Sequence, residues 1–251
     1  MNLLKSIKRL IPNSLKQEGK YILFDLLKMP YSGSNAPLDI IKWLPTSNPI
    51  TYFDIGANVS DFSRCLCGKY KVKAGILVEP VSRLVPVLEK NFPDREAFHV
   101  INTAISDSVS ETDFYFSDDA DSVSSLLRID NKGEGYASLN FEDPVLTKVQ
   151  ALTLDHIVED LQPTNIDLIK MDVQGAEHLV LKGGIKILKK PSWFIPNFHL
   201  NLYEKSSTFF DLYKIFYENN FMLASINSGY TAPYGELLQG DALFVNKTLI
   251  N

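Results

Sequence analysis

The segment Tyr52-Phe53-Asp54-Ile55-Gly56-Ala57-Asn58 constrains the fold more than any other, because a β-favouring apolar run leads straight into a tight turn of small residues. Ile50, Tyr52, Phe53 and Ile55 have the character of a buried strand. Asp54 places a carboxylate near the strand's end, and Gly56 and Ala57 leave room for the backbone to approach a ligand. A second apolar run, residues 74–78, ends in Glu79-Pro80. Parallel strands present their carboxyl ends side by side, so an acid about 20 residues beyond the glycine turn stands where ribose hydroxyls can donate to it.

From residue 50 onward, strand and helix patterns alternate, which specifies an α/β fold with a mostly parallel sheet covered on both faces. Helices are expected over residues 61–70, 82–92, 156–161 (capped by Asp155), 175–188 and 207–219. Further strands are expected over 97–105, 149–154, 166–172, 193–200, 222–226 and 242–245. The pair Gly183-Gly184 should break or kink the fourth helix. A polar, irregular insertion over 112–147 is too long for a simple connection and is of the kind that contacts substrate.

A chain of 251 residues accommodates one such domain, here 50–251, preceded by a helical segment and linker over 1–49. The net charge of −5 and the lack of a basic stripe argue against nucleic acid as partner. Cys65 and Cys67, one residue apart, read as reduced thiols, and no further cysteine completes a metal set. Lys5, Lys8 and Arg9 interrupt any signal-peptide core, and no apolar run reaches membrane-spanning length, so a cytoplasmic protein is expected. Residues 3–11 form a basic amphipathic pattern suited either to peripheral contact with an anionic membrane or to docking on the protein itself.

Ligands of open parallel sheets bind beyond the strand carboxyl ends. The residues there are Asp54 and Gly56, Glu79, Asn102 to Ala104, Asp172, and Asn197 to His199. Two separate carboxylates suit an ammonium and a ribose better than a pyrophosphate, which they would repel. S-adenosylmethionine offers both groups and a sulfonium.

The blocks Asp54-Ile55-Gly56-Ala57-Asn58, Val78-Glu79-Pro80, Leu152-Thr153-Leu154-Asp155 and Gly240-Asp241-Ala242-Leu243-Phe244-Val245 occur in order around Asp167-Leu168-Ile169-Lys170-Met171-Asp172-Val173-Gln174-Gly175-Ala176-Glu177. In these the chain resembles the FkbM family of S-adenosylmethionine-dependent methyltransferases. The resemblance implies a class I, Rossmann-like seven-stranded fold and methyl transfer to an acceptor hydroxyl, often on a sugar or polyketide. It places Asp54, Gly56 and Asn58 on the methionine side of S-adenosylmethionine, Glu79 on the ribose and Asp172 beside the sulfonium. Asn102 and Ala104, at the third strand end, join the cofactor set. Two departures stand out: Ser60 replaces a small glycine, and Asn197, Phe198 and His199 stand where a strand-five Glu is usual.

That second departure makes His199 the candidate general base, since a neutral imidazole can take a hydroxyl proton near physiological pH. Asp172 and Glu177 complete the candidate catalytic group; Glu177 is equally suited to stabilising a helix start. Lys170 is expected to snorkel or to pair with Asp167 rather than to perform chemistry. No metal is expected. A catalytically silent adenosylmethionine-fold binding module is the alternative to an O-methyltransferase acting on a carbohydrate or other small hydroxylated acceptor.

Overall fold

The computed structural model describes residues 44, 47–116, 124–130, 144–190, 192–200, 202–232 and 235–250. The helical pattern expected over 3–11, with its membrane contact, and the rest of the segment before residue 44 lie outside the described residues. Among the described residues, no helix is long and apolar enough to cross a membrane.

The opening run forms β1 (Ile50–Ile55), with all six residues buried. It is followed by α1 (Asp61–Cys67), β2 (Val72–Val78), a 3-10 turn (Ser82–Leu84) with α2 (Val85–Asn91), and β3 (Phe98–Ile101). Then come β4 (Ala104–Ile105), β5 (Ser110–Phe116), β6 (Val145–Leu152), α3 (Leu154–Leu161), β7 (Leu168–Met171) and α4 (Glu177–Lys182). The chain continues with β8 (Trp193–His199), α5 (Phe209–Glu218), β9 (Phe221–Ser228) and β10 (Gln239–Asn246).

Seven strands make one sheet in the order β3-β2-β1-β7-β8-β10-β9, parallel except for β10, which runs antiparallel to both its neighbours. This is the class I methyltransferase fold. The chain leaves β1 toward β2 and β3, then returns to build β7 and β8 on the other side. The switch point therefore lies between β1 and β7.

Side chains alternate along each strand, so one sequence supplies two cores. Phe53, Ile55, Ile76, Ile169, Met171 and Phe194 pack on one face with Ile157 of α3 and Phe216 of α5. Tyr52, Leu168, Trp193, Ile195, Leu243 and Val245 pack on the other with Phe62 and Leu66 of α1. By the same period, Asp54, Lys170, Asn197 and Asp241 fall on this second face. They carry polar groups toward the strand ends.

Three expectations are corrected. The strand expected over 97–105 breaks after Ile101, and β4 joins a separate three-stranded sheet in the order β4-β6-β5. Thr103 marks the break: its hydroxyl donates to the Gln150 carbonyl at 2.8 Å, across to β6. The supposedly irregular insertion therefore starts and finishes in paired strands. Secondly, Asp155 is not the cap of α3; Thr153 is, its hydroxyl accepting from the His156 amide at 3.1 Å. Asp155 instead accepts from the amides of Lys186 at 2.9 Å and Ile187 at 3.2 Å. Thirdly, the helix expected over 175–188 starts only at Glu177; it stops before Gly183-Gly184, the break expected there, and a 3-10 turn (Ile187–Lys189) follows. A β-carbon on Gly183 would collide with the Ser106 carbonyl oxygen, so the close approach of two loops fixes that glycine.

Candidate active site

A cavity of about 620 Å³ opens at the carboxyl ends of the parallel strands, across the switch point. Gly56, Asn58, Glu79, Ala104 and Asp172 line it. So do Phe114, Ser124 and Leu126, so the 112–147 region does reach the site.

The glycine turn is shaped by its ligand-facing backbone. Gly56 has φ 74°, and a β-carbon there would run into the Asp172 carbonyl oxygen. The amides of Gly56 and Ala57 both donate to the Val78 carbonyl at 3.0 Å, which ties the turn to the end of β2. Glu79 completes that tie: Oε2 accepts from the Asn58 amide at 2.7 Å and Oε1 from the Val81 amide at 2.9 Å. A carboxylate oxygen has a second lone pair, so both oxygens can still accept from a ligand. Burial pushes the Glu79 carboxyl up to about 7, against the pull of the Val81 and Asn58 amides. Asn102 does not line the cavity; its Nδ2 donates to the carbonyls of Glu79 at 2.8 Å and Pro80 at 3.1 Å, bracing the loop that presents Glu79.

Asp54 lies beneath the cavity wall, fully buried, rather than in it. Its Oδ2 accepts from the hydroxyls of Ser60 at 2.8 Å and Ser63 at 2.7 Å, and its Oδ1 sits 3.1 Å from Lys170 Nζ. Ser60, in the left-handed region at φ 62°, thus fastens the turn to the strand end where a glycine would leave it loose. Lys170 pairs with Asp54 and not with Asp167, one of its two expected arrangements; the Asp167 carboxylate accepts from the Thr51 amide at 2.7 Å. Lys170 Nζ also donates to the Gly56 carbonyl at 3.0 Å and lies 3.7 Å from Asp172. Burial works against its charge, but Asp54 and then Asp172 hold it protonated, well above the ordinary lysine value.

Asp172 lines the cavity, with its Oδ1 accepting from Gln174 Nε2 at 2.6 Å. Gln174 is in turn held by the Tyr203 hydroxyl, which donates to its Oε1 at 3.0 Å. Glu177 and His199, the other two members of the expected catalytic group, do not line the cavity. Glu177 is buried at the start of α4, where its Oε1 accepts from the Val173 amide at 3.1 Å and holds the loop that follows β7. Burial pushes its carboxyl up to about 8. His199 is 2% exposed, stands edge-on to Tyr203, and has no hydrogen-bond partner at either ring nitrogen. Burial drives its pKa down to about 4, against the opposing influence of Asp172, so the imidazole is neutral but covered. Among the described residues, no three acidic, histidine or cysteine side chains are grouped to hold a metal.

Beyond Asp172 the wall passes to Asn197 on β8, Tyr230 after β9, and Gln239 and Asp241 on β10. The sequence places Asn197 among the strand-end residues and Asp241 in the terminal Gly240 to Val245 block, without assigning Asp241 a role. The signal for Asp241 was the period-two pattern of the last strand, which puts it on the same face as Leu243 and Val245.

The model of the methyltransferase FkbM domain matches residues 54–223, from Asp54 through the whole switch-point region. This chain belongs to the FkbM methyltransferase family. It is similar to the 2-O-methyltransferase NoeI of Sinorhizobium fredii, with 31% identity over 172 residues that cover 65% of this chain and 69% of that one. Its fold is like that of the methyltransferase FkbM from Methylobacillus flagellatus, at TM-score 0.56 and 14% identity over 94% of this chain; it spans 56% of that structure's length. As an FkbM methyltransferase it uses S-adenosylmethionine. The residues present fit that cofactor: Gly56 lets its turn close onto the Asp172 carbonyl, which brings Gly56, Asn58 and Asp172 together along the cavity, and Glu79 offers acceptor capacity one strand away.

Proposed function

We propose that this FkbM methyltransferase methylates a hydroxyl of a carbohydrate or another small hydroxylated molecule. The observation that carries the reading is the polar far wall of the cavity, where Asn197, Tyr230, Gln239 and Asp241 offer hydrogen-bonding groups to a hydroxyl-rich acceptor. Similarity to NoeI, named a 2-O-methyltransferase, supports the choice of oxygen.

In this reading Gly56 and Asn58 border the methionine portion of the cofactor, Glu79 accepts from the ribose hydroxyls, and Ala104 borders the base. Asn102 and Asp54 act one layer back, through the Glu79-Pro80 loop and through Ser60 and Lys170. The cofactor supplies a methyl group activated by a positively charged sulfur. The protein holds the acceptor oxygen in line with that methyl and excludes water, which accounts for most of the rate gain through alignment.

The test is transfer of isotopically labelled methyl from S-adenosylmethionine to a panel of simple glycosides and to matching amino sugars. Label in a methyl ether of a glycoside is the expected result. Label confined to the amino sugars would refute O-methylation.

A further inference from the structure

Asp241 lies directly across from Asn197 in the antiparallel pairing of β10 with β8, so the two side chains leave the same face of the sheet. Asn197 Nδ2 donates to Asp241 Oδ1 at 3.0 Å, and both residues line the cavity. Asn197 is 4% exposed, and its Oδ1 is buried without a partner. The wall thus holds an amide with incomplete hydrogen bonding beside the carboxylate that it orients.

The charged groups around Asp241 do not neutralise it. Lys170, from β7, is committed to Asp54 at 3.1 Å and to the Gly56 carbonyl at 3.0 Å, and it shares what remains with Asp172 at 3.7 Å. Asp172, at the end of β7, adds negative charge; Asp54, from β1, is covered by Ser60 and Ser63. His199, further along β8, is neutral, and Tyr230 and Gln239 bring no positive charge. Burial first, and Asp172 second, therefore push the Asp241 carboxyl up to about 7, against the Asn197 hydrogen bond and Lys170.

We propose that Asp241, oriented by Asn197, is the counter-charge to the cofactor's sulfonium and the proton acceptor of the methyl transfer. The proposal rests on the O-methyltransferase reading above and adds a residue to it. Below neutrality Asp241 carries a proton in the free protein; an adjacent positive sulfur favours the carboxylate, so the proton leaves as the cofactor binds. Asp241 then meets the acceptor hydroxyl as a base. The oxygen–carbon bond forms as the carbon–sulfur bond breaks, the electron pair stays on sulfur as a neutral thioether, and the hydroxyl proton passes to Asp241. The positive charge lost at sulfur matches the negative charge lost at the carboxylate.

The test compares S-adenosylmethionine with S-adenosylhomocysteine, which lacks the charge, by calorimetry on the full-length protein between pH 6 and pH 8. Glu79 also titrates near 7, but it faces the ribose common to both ligands and cancels from the ratio of affinities. With Asp241 rising to about 7 and an opposite charge lowering it by about 1–3 units, that ratio should rise about tenfold across this range in the wild type. Asp241→Asn should abolish the rise while still binding S-adenosylhomocysteine, which shows that the variant is folded. On an acceptor that takes label, the same variant should lose about 10²–10⁴-fold in kcat. A wild-type ratio that is flat with pH while both ligands bind, or a rise that survives in Asp241→Asn, overturns the proposal and leaves the O-methyltransferase reading standing. Failure of either ligand to bind the wild type overturns the cofactor site and the proposal together.

Discussion

Replacing Lys170 by Met leaves the carboxylate of Asp54 inside the sheet without its cation. Asp54 is fully buried, and Lys170 faces it across β1 and β7 as a direct register pair, so the charge has no route to solvent by side-chain rotation. Breaking a buried ion pair from one side costs about 3–5 kcal/mol, because the surviving charge stays desolvated. Two features place the cost toward the lower end: the hydroxyls of Ser60 and Ser63 still donate to Oδ2, and the Lys170 side chain keeps 13% exposure. About 3 kcal/mol is therefore expected, a large share of the roughly 5–15 kcal/mol that holds a typical domain folded. Asp54→Leu together with Lys170→Met removes both charges, and the pair should recover most of the loss, since apolar replacement of a buried pair is often neutral. Urea unfolding of the wild type, both single variants and the double variant gives the coupling directly. A loss under about 1 kcal/mol for Lys170→Met, or strictly additive losses, would refute the view that this pair anchors the cofactor turn.

Glu79→Ala should weaken S-adenosylmethionine and S-adenosylhomocysteine alike by about one to two orders of magnitude, the effect of losing charge-assisted hydrogen bonds to ribose; equal binding in calorimetry would contradict it. Stability of the free protein should fall as pH rises from 5 to 8. Glu79 and Asp241 at about 7 and Glu177 at about 8 keep protons in the folded state that the unfolded chain has already released at ordinary carboxylate values. A urea midpoint that climbs from pH 5 to pH 8 would reverse that sign. His199→Phe keeps an aromatic ring against Tyr203 and removes two unpartnered nitrogens, so it should leave kcat within a fewfold of wild type and stability unchanged or raised. A large fall in kcat would return the base to His199.

The strands were legible because their apolar runs are bounded by residues with one physical use: Gly56 at a positive φ, Glu79-Pro80 at a strand end, Gly183-Gly184 at a helix stop. The helix boundaries were less so, since Thr153 and Asp155 both have N-cap chemistry and only the approach of Lys186 and Ile187 decides between them. The site divides along the same line. The half proposed for the cofactor is built from residues close in sequence to the glycine turn, or one parallel strand away, and local pattern finds Gly56, Asn58 and Glu79.

The half proposed for the acceptor depends on β10 entering antiparallel between β8 and β9, a long-range pairing that carries Asp241 to Asn197 from 44 residues away. A sequence search for a base at the end of the fifth parallel strand stops at His199, because a histidine there is the chemically conspicuous residue. The register sets the two positions apart. His199 pairs with Gln239 and is covered by Tyr203, while Asn197, two residues earlier on the same face, pairs with the carboxylate. The acid missing from β8 is thus supplied by its antiparallel neighbour. An amide and an acid on adjacent strands can place a carboxylate in the same wall as a single glutamate, with the added consequence that the amide fixes its orientation.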